Sequence, residues 1–183
     1  QKHVKRGLAL TPVKFGISFT TSFLNQAGAL VVLYADGSLQ LNHGGTEMGQ
    51  GLHTKMLAIC AHELGVPPSR VRVMNTATDK VPNTSATAAS SGSDLNGQAV
   101  KVACETLRER LRPVAARLLG VPSESAKDIL FAGGRVFLAS RPELALPFEK
   151  VTGEAYLQQI SLSATGFYKT PDISYDRATG RGK

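Results

Sequence analysis

The chain has 183 residues, 42% of them hydrophobic, and a formal charge of +7. That size and apolar share suffice for one buried core, which excludes a disordered tail. No apolar run approaches the ~20 residues of a membrane span, so no membrane partner is expected. The positive charge favours anionic ligands in general. Basic residues cluster only at 2–6, 108–117 and 177–183, and such runs more often mark a solvated helix face than a nucleic-acid interface. Cys60 and Cys104 are the only cysteines and lie far apart in sequence, which supports neither a disulfide framework nor a structural zinc site. With no signal-peptide pattern in the opening residues, a reducing, cytoplasmic setting is expected.

Taken in order, residues 15–23 alternate Phe15, Ile17 and Phe19 against Gly16, Ser18 and Thr20, the period-two pattern of a strand with one buried face. Residues 29–34 and 38–42 are two β-prone runs joined by Asp36 and Gly37, a tight-turn dipeptide, and predict a hairpin. Leu52, Met56, Ile59, Cys60 and Leu64 then form an apolar stripe on one helix face, closed by Gly65 and Pro67. Residues 71–74 read as a short strand. The polar, small-residue stretch 75–93 is longer than most connections, and its position before a helix points to function. A second helix starts near Asp94, with Leu95, Ala99, Val102, Ala103, Leu107 and Leu111 on one side, and Pro113 is expected to kink or restart it. Beyond Gly120, Gly133 and Gly134 mark a hairpin turn into a strand at 136–138. Pro147 opens a helix to about Gln159, and 161–168 alternates as a strand. The tail from Asp176 is basic and shows no capping element. No repeat or internal boundary is visible, so residues 1–183 are expected to form a single unit. Its mixed elements predict a two-layer α+β fold, with helices packed on a mixed β-sheet.

Two stretches stand out as a candidate site: the glycine-rich turn 44–51 and the polar run 84–93. Each precedes a helix. A helix start presents unpaired N–H groups and the positive end of the peptide dipoles, and small side chains let an anionic ligand reach that main chain. Two such starts suggest one large anionic ligand held from two sides. Known phosphate loops do not fit. Gly44 and Gly49 have P-loop spacing, but Gln50 and Gly51 stand where Lys and Ser or Thr belong. Gly49 and Gly51 begin a dinucleotide fingerprint, yet Thr54 occupies the third glycine position. His3, His43, His53 and His62 lack ligand spacing, so no metal site is assigned. Glu47 reads as a turn brace rather than a general base, because a carboxylate there would repel bound phosphate. Ser85, Ser90, Ser91 and Ser93 lack the surroundings of a nucleophile and suit capping or anion contact.

Four stretches carry a family resemblance: Phe-Gly-Ile-Ser-Phe-Thr-Thr-Ser-Phe-Leu-Asn-Gln-Ala-Gly-Ala-Leu (15–30), His-Gly-Gly-Thr-Glu-Met-Gly-Gln-Gly-Leu-His-Thr-Lys (43–55), Val-Pro-Asn-Thr-Ser-Ala-Thr-Ala-Ala-Ser (81–90) and Ser-Ala-Thr-Gly-Phe-Tyr-Lys-Thr-Pro (163–171). In this order they closely resemble the molybdopterin-binding subunit of the xanthine dehydrogenases, among the molybdenum hydroxylases. The resemblance implies a molybdenum-molybdopterin cofactor. It also implies insertion of water-derived oxygen at a purine ring carbon, taking hypoxanthine to xanthine and xanthine to urate, with electrons leaving through iron-sulfur clusters and FAD to NAD. Phe19 resembles the aromatic that packs on the flat purine, and Thr20 its neighbour that hydrogen-bonds substrate. Gln50 resembles the turn glutamine that contacts the pterin. Ala88, Ala89, Ser90 and Ser91 resemble the segment that approaches molybdenum and pyranopterin.

The family's second phenylalanine, its substrate-binding glutamate and arginine, and its general-base glutamate have no match here. The chain is therefore expected to be a fragment of a larger subunit, completed by the remainder of that subunit and by the FAD and iron-sulfur subunit, and inactive alone. Two other readings stay open: a related hydroxylase acting on another N-heterocycle or an aldehyde, and a non-catalytic anion- or nucleic-acid-binding module.

Overall fold

The computed structural model describes residues 3–13, 16–81 and 84–183. The predicted hairpin forms from β1, Gln26–Leu33, and β2, Leu39–His43, paired antiparallel with Ala29 opposite His43, Val31 opposite Leu41 and Leu33 opposite Leu39. These pairs are all buried, so one face of the hairpin is core, as a period-two chain requires. In the turn, Gly37 donates its N–H to Tyr34 C=O at 2.9 Å, and the Asp36 carboxylate accepts the Ser38 N–H at 2.9 Å.

From β2 the chain passes through the glycine-rich turn into α1, Leu52–Leu64, and returns as β3, Val71–Val73, parallel to β2. Leu52, Met56, Cys60 and Leu64 are buried along α1, as their spacing predicts. The four-stranded sheet is completed by β7, Ser163–Lys169, antiparallel to β1, giving the order β3-β2-β1-β7. Helix α2, Gly92–Leu118, lies across β1 and β7 and packs against α1. A side chain at Gly166 of β7 would run into the backbone of Ala99 and Ala103, so the helix can sit this close only over a glycine. Helices on a mixed sheet make the molecule two-layered α+β, as expected.

A smaller meander follows: β4, Ile129–Ala132, β5, Arg135–Leu138, and β6, Arg141–Pro147, leading into α3, Phe148–Leu157. Phe148 is fully buried and meets Phe131 edge-on, with ring centroids 6.3 Å apart. Gly134 donates to Gly65 C=O at 2.6 Å, which ties this meander to the end of α1. The basic tail closes as a two-stranded hairpin, β8, Tyr175–Asp176, with β9, Arg181–Gly182. Asp176 braces its turn by accepting from Ala178 N–H and Thr179 Oγ1.

Two expectations need correction. The strand expected at 15–23 does not form. Phe15 lies outside the described residues, and residues 16–25 are a loop ending in a short 3-10 helix, Ser22–Leu24. The physical reason is local competition: the backbone of Phe19 is hydrogen-bonded by the Asn25 side chain instead of a neighbouring strand, and Ser18 adopts a left-handed φ of 98°. The alternation is real, but pairing begins only at Gln26. Nor does Pro113 divide the second helix, which runs unbroken from Gly92 to Leu118. Pro113 and Glu109, whose carbonyl loses its helical donor, are both exposed, which lessens the cost of the lost bond. Leu107, Leu111, Val114 and Ala115 carry the buried stripe straight past the proline.

Candidate cofactor site

The glycine-rich turn is built from the inside. His43 is only 1% exposed, and its Nδ1 accepts the Gly45 N–H at 3.2 Å. Burial, reinforced by the neighbouring His53, drives the His43 pKa from an ordinary 6.5 down to about 4, against a smaller opposite pull from Glu47. The ring is therefore neutral at pH 7, with His53 edge-on to it at 5.0 Å. A side chain at Gly44 would collide with Thr84, so the turn and the polar run touch there. The contact is locked by Thr46, which donates its N–H to Thr87 Oγ1 at 2.8 Å.

Glu47 behaves as the sequence predicts, as a brace. One carboxylate oxygen accepts the Gly49 and Gly51 N–H groups, at 2.8 and 3.0 Å, and the other accepts the His53 N–H at 2.9 Å. These bonds, that from His53 foremost, hold its pKa below the ordinary carboxylate value. A carboxylate so engaged is a poor proton acceptor, and its charge at the start of α1 disfavours an external anion there. Gln50 is also engaged within the turn: its Oε1 accepts the Met48 N–H at 2.6 Å and its Nε2 donates to Thr46 C=O at 2.9 Å.

The start of α2 is different. Ala89 and Ser90 both take left-handed backbone angles, φ 52° and 54°, which is costly for residues other than glycine and curls the main chain into a concave turn. Ser91 occupies the N-cap position, but its hydroxyl bonds back to Ala88 C=O at 3.1 Å and leaves the helix without a side-chain cap. The open helix start is the anion-binding feature that the sequence attributes to both.

The turn and the polar run converge on one cavity of about 490 Å³. Gln50 and Lys55 face it from one side, and Ala88, Ala89, Ser90 and Ser93 from the other. Lys55 Nζ donates to Ser93 Oγ at 3.2 Å across the mouth between the helices. Ser91 lies behind the wall, fully buried. Phe19 and Thr20 are not on the wall. They follow Ser18, whose N–H donates to Ala89 C=O at 3.0 Å, so their loop is pinned to the same left-handed turn. Phe19 is half-buried and Thr20 exposed.

Lys55 received no role from the sequence, whereas Ser93, read there as suited to capping or anion contact, lines the cavity beside it. A signal existed for the lysine: a cation in the first turn of a helix opposes the peptide dipoles, an unfavourable placement that an anionic neighbour would reverse. The basic run of α2 is engaged internally. Arg108 pairs with Glu63 at 3.1 Å, Arg110 donates to the Ser161 and Ser163 carbonyls, Arg112 pairs with Glu109 and Arg117 meets Gln158. No group of three metal-ligating side chains occurs among the described residues.

Small side chains around an exposed main-chain turn, an uncapped helix start and one lysine suit a large ligand with a phosphate group. The whole chain, residues 1–183, matches the molybdopterin cofactor-binding domain family, and the chain belongs to it. It is similar to xanthine dehydrogenase of Blastobotrys adeninivorans, 53% identical over 174 residues that cover 95% of this chain and 11% of that protein. It is also similar to xanthine dehydrogenase/oxidase of Felis catus, 50% identical over 97% of this chain and 12% of that one. The chain thus spans about a ninth of the length of these relatives. Among solved structures it resembles quinoline 2-oxidoreductase from Pseudomonas putida 86, with a TM-score of 0.72, 27% identity and coverage of 86% of this chain and 22% of that chain. A copper- and molybdenum-containing CO dehydrogenase shares the fold at a TM-score of 0.71.

Proposed function

We propose that this chain is one part of a xanthine dehydrogenase, that residues 1–183 act as a single unit, and that this unit supplies one wall of the molybdopterin site and part of the purine site. The observation that carries the reading is the convergence of the turn and the Ala88–Ser90 segment on one cavity. The cavity walls fit the cofactor: the uncapped start of α2 and Lys55 would receive its phosphate, and the methyl-sized side chains of Ala88 and Ala89 would let the main chain lie against the pterin. Gln50 retains one amide hydrogen and one lone pair for the ring after bracing the turn. Ser90 lines the same wall, and Ser91 supports it from behind through its bond to Ala88. The cofactor supplies the redox chemistry that inserts water-derived oxygen into hypoxanthine and xanthine. Phe19 packs against the purine plane and Thr20 hydrogen-bonds it. Proton abstraction falls to a residue outside this chain, because Glu47 is committed to the turn. Iron-sulfur clusters, FAD and NAD as acceptor belong to the remainder of a cytoplasmic enzyme, and the isolated chain does not turn over.

The test is made on the full-length enzyme. Ala88→Leu, which fills the cavity, is expected to lower bound molybdenum and pterin at least tenfold while the protein still folds. Normal cofactor content in that variant refutes the site. A second reading, hydroxylation of another N-heterocycle, is favoured by the structural likeness to quinoline 2-oxidoreductase. A kcat/KM for quinoline above that for xanthine would select it.

A further inference from the structure

Asn25 is 2% exposed and stands at the junction of the 16–25 loop and β1. All three of its side-chain hydrogen bonds go to that loop. Oδ1 accepts the Phe19 N–H at 2.8 Å, and Nδ2 donates to Phe19 C=O at 3.0 Å and to Ser22 C=O at 3.1 Å. One amide therefore holds both polar groups of the Phe19 backbone, as a paired strand would. The Asn25 backbone is itself fixed: its C=O accepts the Thr170 N–H at 3.0 Å, just beyond the end of β7, and its N–H donates to Ser22 C=O at 3.1 Å. On the other side of Phe19, Ser18 is tied to Ala89. Phe19 thus hangs between an anchor on the sheet and an anchor on the cavity wall, and no strand pairing holds it.

We infer that Asn25 is a positioning residue, which sets the Phe19 ring for contact with a flat heteroaromatic substrate by clasping the Phe19 main chain. The inference rests on the purine-site reading of Phe19 given above. Its distinctive consequence is that Asn25 has no effect on substrate except through Phe19. Two residues that act as one unit give non-additive losses, whereas independent contributions multiply.

The experiment is a double-mutant cycle in the full-length, cofactor-loaded enzyme. It reads the equilibrium Kd of the product urate by dialysis, alongside molybdenum per chain. Phe19→Ala and Asn25→Ala are each expected to weaken urate about tenfold, and the double variant to match Phe19→Ala within about twofold, with molybdenum content unchanged. Should Asn25→Ala fail to accumulate, Asn25→Asp keeps the shape and the acceptor for Phe19 N–H while removing both donated bonds, and is expected to behave the same way. Multiplying losses, about a hundredfold in the double variant, overturn the positioning role alone. So does a fall in molybdenum content parallel to the loss of urate, or unchanged urate binding in the Asn25 variants. Unchanged urate binding in Phe19→Ala overturns the purine-site reading itself and the inference with it.

Discussion

His43 is a buried neutral imidazole whose lone pair holds the glycine-rich turn through Gly45. Its folded pKa, about 4, lies below the ordinary 6.5, so in acid the unfolded chain binds a proton that the native ring refuses. Stability is therefore lost as pH falls from 6.5 towards 4. Between pH 6.5 and 5 the loss is about 1.6 kcal/mol, the slope rising from half of 1.36 kcal/mol per pH unit at 6.5 towards the full value below it. Urea midpoints at the two pH values check this: His43→Gln keeps an acceptor for Gly45 and is expected to flatten the dependence. Glu47 acts lower down. Its pKa is depressed below the ordinary 4.5, so its contribution is complete above that value and disappears as pH falls through the lower folded one. Glu47→Ala is expected to speed amide exchange at Gly49, Gly51 and His53, the residues it binds, with less change at Leu64. The brace role was legible from residue type beside a helix start. The burial of His43 was not, since nothing in the order of residues says which ring lies under the turn.

Among the elements, α2 owes its placement to a single position in another element. Gly166 lets the helix lie on β7, and Gly166→Val is expected to cost more than 3 kcal/mol in denaturant unfolding, since the obstacle is backbone that cannot rotate away. Pro113→Ala restores an N–H opposite Glu109 C=O on an exposed face and should stabilise by roughly 1–3 kcal/mol. Failure of that gain would show α2 bent to suit its proline. The helices, the hairpin and β7 were legible because their apolar residues repeat at the period of one face. The 16–25 loop was misread for the same reason: alternation reports which residues are apolar, and cannot report whether a partner strand is present. Asn25 competes for the very groups that a strand would use.

For the whole molecule, Lys55 and the start of α2 form a positively polarised mouth between two helices. Lys55→Ala in the full-length enzyme is expected to weaken cofactor retention, with molybdenum lost at least tenfold faster during dialysis and the effect growing at low salt. Equal loss rates would remove the lysine from the site. The same two helices bring Cys60 and Cys104 together, 44 residues apart in sequence, with sulfurs 3.7 Å apart and both buried. The hydrogen bond to Cys60 and burial push the Cys104 thiol well above its ordinary pKa, which keeps it protonated.

The amino-acid order by itself determined most of the secondary elements, the α+β class and the two bare stretches of main chain, because periodicity, turn dipeptides and small side chains act over a few residues. Only the tertiary structure decided that those stretches share a cavity, that Glu47 braces one helix start while the other has no side-chain cap, and that Phe19 is carried on a clasped loop. Two of these turn on competition within a few residues, Glu47 for N–H groups two to six residues on and Asn25 for the Phe19 backbone, whereas the shared cavity depends on groups that meet across 41 residues, as Thr46 and Thr87 do. Packing selects those meetings, and no local pattern encodes them.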